Sequence, residues 1–131
     1  MKKLIQYVVL ILAIPFKTYA QETVTVIFSV GGKDAVFKLE LARHPDQWHK
    51  GLSQRTTLKK DRGMLFDFLI PRHVVMWMKE TLIPLDILFL NAQGEIINIY
   101  EQAKPLSLKP ITSQGMSRYV IELNGGMAKQ L

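Results

Sequence analysis

The feature that most constrains this chain is its hydrophobic period. Over residues 23–30, Val24, Val26, Phe28 and Val30 share one face, and after Gly31-Gly32 the residues Ala35, Phe37, Leu39 and Leu41 do the same. Alternation of period two marks a strand with one buried face, and a Gly-Gly step between two such runs suits a tight hairpin turn. Farther on, residues 85–90 read Leu-Asp-Ile-Leu-Phe-Leu, apolar toward both sides apart from one carboxylate. A strand of that kind is covered on both faces. The two patterns together call for a sheet with a one-sided margin and an enclosed centre.

The remaining segments fit around that sheet. His44-Pro45-Asp46 opens a short helix, because proline is tolerated in a first turn and an acid suits its positive end. Trp48 and Leu52, one turn apart, face the core, and Gly51 limits the helix. Strands are expected over residues 63–68 and 73–79, with a turn at Leu69-Ile70-Pro71-Arg72 between them. Asn91-Ala92-Gln93-Gly94 reads as a hairpin loop with a return strand over 96–103. Residues 104–114, with Pro105 and Pro110, form an extended loop, and 118–123 form a last strand. About seven short strands and one helical turn predict a mainly β chain: a single compact β-sandwich or partly closed barrel with one short helix.

The first twenty residues belong to a different problem. Lys2 and Lys3 precede a run over residues 4–16 in which only Gln6 is strongly polar, and small residues stand at Thr18 and Ala20. This is the pattern of a secretory signal cleaved after Ala20, leaving 21–131 as one β domain. The apolar run would reach only about 20 Å as a helix, short of a ~30 Å hydrocarbon core, so no stable membrane insertion is expected after cleavage. The expected location is periplasmic or extracellular. Removing the signal takes away three lysines and no acid, lowering the net charge from +6 to +3. The basic residues are scattered, with Lys59, Lys60 and Arg62 the one tight group and Asp61 in its middle, so no nucleic-acid partner is expected. The absence of cysteine excludes a disulfide scaffold, a lipid anchor at the signal and thiol chemistry.

Three blocks carry a resemblance. They are Gly51-Leu52-Ser53-Gln54-Arg55 with Leu58, then Gly63-Met64-Leu65-Phe66, then Met76-Trp77-Met78-Lys79-Glu80-Thr81 running into Ile83-Pro84-Leu85-Asp86-Ile87 and Phe89. In order and spacing these resemble domain-of-unknown-function family 192, also called uncharacterised protein family 0127. The resemblance implies a compact, jelly-roll-like, often exported β domain, and it brings no established reaction, ligand or partner. Ser53 and Gln54 stand where the family usually has a methionine and an aromatic. Such domains also usually continue beyond the glycines into a final strand, so this chain, stopping at Leu131, either lacks that strand or is truncated.

Among residues that are costly to bury, Asp86 stands out, because an unpaired carboxylate inside a core strand costs several kcal/mol. Arg55 and Lys79 are its expected partners, and the cluster Arg55, Trp77, Lys79, Thr81 and Asp86 is the expected ligand-binding site. A purely structural reading, a buried ion pair or a set of backbone hydrogen bonds that fixes the loop before the strand, explains the same residues. Met76-x-Met78 near His73 is the softest donor set in the chain, but methionine is a common core filler and no metal is expected. There is no zinc-binding His-Glu-x-x-His, no phosphate loop and no nucleophile elbow, since Gly51-Leu52-Ser53-Gln54-Arg55 breaks that pattern at its end. No cofactor is implied. The sequence reads as a binding module for a small polar molecule or a segment of another exported protein. An enzyme of unknown reaction on the same cluster and a structural or assembly factor are the alternatives.

Overall fold

The computed structural model describes residues 20–131, and the signal-like segment up to residue 19 lies outside the described residues. Strand β1 (Glu22–Val30) pairs antiparallel with β2 (Lys33–Ala42) around the expected turn, where Gly31 and Gly32 take φ of 58° and 77°. These left-handed values are open to glycine without penalty. The next strand, β3 (Arg62–Arg72), lies parallel to β2, a pairing that requires a crossover. That crossover carries helix α1 (Pro45–Lys50) onto one face of the sheet. There Trp48 and Leu52 pack as expected, and the Trp48 indole N–H donates to the Ala42 carbonyl at 3.1 Å. Gln47 Oε1 accepts the backbone N–H groups of Arg43 and His44, closing the start of the helix.

The sheet continues through β5 (Leu85–Leu90), β6 (Ile96–Ala103) and β8 (Ser117–Asn124), in the order β1-β2-β3-β8-β5-β6. A separate two-stranded sheet pairs β4 (Val75–Met76) with β7 (Ile111–Thr112). The chain is mainly β and sandwich-like, with the short helix and the small sheet over one face of the large one. The sheet stays open, with β1 and β6 as its two margins. The last strand in sequence is flanked on both sides, by β3 and by β5. Among the described residues no helix is long and apolar enough to cross a membrane.

Side-chain alternation divides the core in two. Met64, Phe66, Ile87, Phe89 and Val120 join Leu52, Val74, Met78 and Ile111 on the helix-bearing face. Phe28, Phe37, Leu39, Leu88, Ile121 and Leu123 gather on the other. All six residues of β5 are buried, which accounts for its continuous apolar run. Gly63 lets β3 and β8 approach, since a Cβ there would collide with the Glu122 carbonyl oxygen.

Two expectations change. Residues 69–72 do not turn the chain; β3 runs through them with a break in register between Asp67 and Arg72 and a left-handed Leu69 at φ 69°. A bulge leaves backbone groups without ladder partners, so Pro71, which has no N–H, fits there. Of residues 73–79 only Val75 and Met76 pair as a strand. The alternation expected across them persists: Met78 is in the core, while Trp77 and Lys79 face outward.

Candidate functional site

The expected cluster separates into three places. Arg55 forms a bidentate ion pair with Glu40, both contacts 2.6 Å, and this hydrogen bond raises the proton affinity of the guanidinium. The pair lines a hollow of 420 Å³ with Lys38, Thr57, Lys59 and Arg62. Asp86 is fully buried, but neither Arg55 nor Lys79 reaches it. Its Oδ1 accepts the backbone N–H of Gln102 at 2.8 Å, and its Oδ2 accepts those of Gly126 and Ala128 at 2.9 and 2.8 Å. The expected ion pair is therefore replaced by three main-chain donors. They come from β6 and from the turn leading into the closing 3-10 helix Ala128–Gln130. Three N–H groups aimed at one carboxylate satisfy it without a counter-charge.

Trp77, Lys79 and Thr81 do come together. Residues 77–81 leave β4 and pass the end of α1, where Gln54 N–H donates to the Glu80 carbonyl at 2.9 Å and ties the two loops. Both linked residues are left-handed, with φ of 64° at Gln54 and 55° at Glu80, an arrangement that non-glycine residues adopt at a cost of about 1–3 kcal/mol. Between the loops runs a cleft lined by His49, Lys50, Ser53, Trp77, Lys79 and Glu80, of 230 Å³. The Lys79 ammonium rests 5.2 Å from the centre of the Trp77 ring, a cation–π contact on an indole that is 48% exposed. Thr81, only 6% exposed, donates its hydroxyl to the Lys79 carbonyl at 3.2 Å.

Beneath this cleft lies a residue that the expected cluster omits. A small cavity of 30 Å³ is bounded by Leu52, Phe66, Met76, Thr81 and Glu122. Glu122 is 4% exposed, and burial pushes its carboxyl up to about 8. No ion pair or hydrogen bond to this carboxyl is formed among the described residues. The signal was present in Ile121-Glu122-Leu123, an acid between two apolar residues of a strand, but only the central position of β8 makes both of its faces buried. His49, Lys50 and Ser53 were also missed, because exposed polar residues on a short helix and its turn carry no pattern of their own.

These features define a small open-sheet β domain that carries a polar cleft where a crossover helix meets the loop after a two-stranded sheet. The chain belongs to domain-of-unknown-function family 192 (DUF192, Uncharacterized ACR), whose profile matches residues 26–131. It is similar to the crystal structure of a candidate transcription regulator from Sinorhizobium meliloti 1021, with 41% identity, a TM-score of 0.79 and coverage of 88% of this chain and 89% of that one. It is also similar to a protein of unknown function from Novosphingobium aromaticivorans DSM 12444, with 36% identity, a TM-score of 0.80 and coverage of 82% and 77%. A comparison with curated proteins returns no match.

Proposed function

We propose that this protein is an exported binding module that holds a small polar ligand in the cleft formed by His49, Lys50, Ser53, Trp77, Lys79 and Glu80, with Thr81 in the cavity below. The observation that carries the reading is the convergence of three basic side chains, an open indole and two hydroxyl residues on a cleft with a buried acid below. Binding sites combine an apolar platform with a few convergent polar groups in this way. Export rests on the basic, apolar and small-residue pattern of residues 1–20. Arg55 and Asp86 take structural roles in this reading, one through Glu40 and the other through the main chain.

The S. meliloti relative is described as a candidate transcription regulator. In this chain Arg43, Arg55, Arg62 and Arg118 each pair with an acid and Asp61 interrupts the tight basic group of Lys59, Lys60 and Arg62, which favours a small ligand over a phosphate backbone. A thermal-shift scan with organic acids, sugars, nucleotides and short peptides tests the proposal. A ligand at about 100 times its Kd adds ~2.7 kcal/mol, which raises the midpoint of a domain this size by on the order of 10 °C. Loss of that shift in Trp77→Ala and Lys79→Ala would place the ligand here. A shift unaffected by both substitutions would place it elsewhere.

A further inference from the structure

Of the two buried acids among the described residues, Asp86 has three donors and Glu122 has none. The neighbours of Glu122 explain the difference. Its register partners are Met64 on β3 and Ile87 on β5, so the sheet itself offers nothing polar on either side. The charged and titratable groups facing it come from the elements above: His49 and Lys50 from α1, and Lys79 and Glu80 from the loop after β4, with Ser53 and Thr81 as neutral hydroxyls. None of these hydrogen-bonds or ion-pairs with it. No fully enclosed side-chain oxygen or nitrogen among the described residues lacks a partner, so the unpartnered carboxyl reaches the cavity rather than being sealed away. A buried polar group with no internal partner, opening on a cavity of 30 Å³, has room for about one small polar group to meet it.

Resting on the binding reading above, we propose that Glu122 is the recognition group at the floor of the cleft and that the ligand is a small carboxylate. The Glu122 acid donates its O–H to one carboxylate oxygen of the ligand, whose negative charge lies under His49, Lys50 and Lys79. An O–H···O⁻ bond of this kind is short and strong, and the burial of Glu122 strengthens it further. An amine ligand would need Glu122 ionised and would have to pass His49, Lys50 and Lys79 with only Glu80 of opposite charge beside them. The burial of Glu122, which keeps the carboxyl protonated near neutral pH, supports the acid as donor.

The test uses the full chain carrying carbon-13 in the glutamate carboxyls, titrated by NMR with acetate as probe and methylammonium as its charge-inverted counterpart. The expected result is that acetate raises the titration midpoint of Glu122 and shifts the Trp77 indole N–H signal. Its affinity should then fall about tenfold per pH unit above the free midpoint. Glu122→Gln, which retains an N–H donor, should bind acetate with an affinity independent of pH, and Glu122→Leu should weaken it at least about tenfold. Acetate that moves Trp77 and Lys79 signals while the Glu122 titration stays fixed overturns this inference and leaves the binding reading standing. Methylammonium lowering the Glu122 midpoint overturns the carboxylate preference. Silence toward acetate at every signal also overturns the inference, and the cleft itself is rejected only if the ligand scan is silent as well.

Discussion

Asp86 and Glu122 sit on adjacent strands of one sheet, one residue apart in register, and point to opposite faces. Each is buried, yet their surroundings differ completely. The face under Asp86 is closed by the last turn of the chain, whose backbone arrives with free N–H groups. The face under Glu122 is covered by a helix end and a loop that bring side chains to the rim and nothing to the carboxyl. One acid is thus part of the structure that holds the fold, and the other is an exception the fold tolerates. Exceptions of this kind are where function is sought, because an unsatisfied buried group costs stability and must be offset elsewhere.

The contrast can be broken most sharply at Asp86. Asp86→Leu leaves three N–H groups, one buried and two part-buried, without an acceptor and should lower stability by about 3–5 kcal/mol in urea denaturation, or prevent folding. A loss below about 1 kcal/mol would mean that the closing turn finds other partners. Glu122→Gln should do the opposite. Because the folded carboxyl holds its proton up to about 8, against an ordinary value of 4.5, the native state binds more protons than the unfolded chain between those limits. The contribution of this group is then fully present below about pH 4.5 and is lost as pH rises toward 8, and Glu122→Gln should remove that decline, gaining a few kcal/mol at pH 8. Unfolding curves that keep the same pH slope in both proteins would show the carboxyl to be solvated.

Smaller effects sharpen the comparison at the surface. Arg55→Ala should cost about 1 kcal/mol, since both partners of its pair with Glu40 are part-exposed, and a double-mutant cycle with Glu40→Ala should recover most of that as coupling. Lys79→Ala should change stability by no more than about 0.5 kcal/mol while removing ligand-induced shifts. A Lys79→Ala protein that unfolds early would return the Trp77 contact to a structural role.

The parts of the fold legible in sequence are those set by neighbours along the chain. The Gly31-Gly32 hairpin, the Pro45 start of α1, the loop at Asn91 and the buried run of β5 each follow from local pattern and hold. What was not legible depends on distant contacts. The chain passes Pro71 without turning because β8 pairs with Arg72 on the far side of the bulge. The donors to Asp86 lie 16, 40 and 42 residues away and are main-chain groups, which no residue type announces. The site was read in part for the same reason: Trp77, Lys79 and Thr81 lie within one five-residue stretch, whereas Glu122 joins them only through the sheet.

The order of the strands also sets a clock. Strands β3 and β5 lie on either side of β8, so neither gains its inner neighbour until residues 117–124 are available. A chain emerging from the ribosome can form the β1–β2 hairpin early, but the sheet's centre must wait for its last strand. Such dependence on distant pairing delays folding. A nascent chain of this design keeps its two central strands half-paired until residues 117–124 have been made.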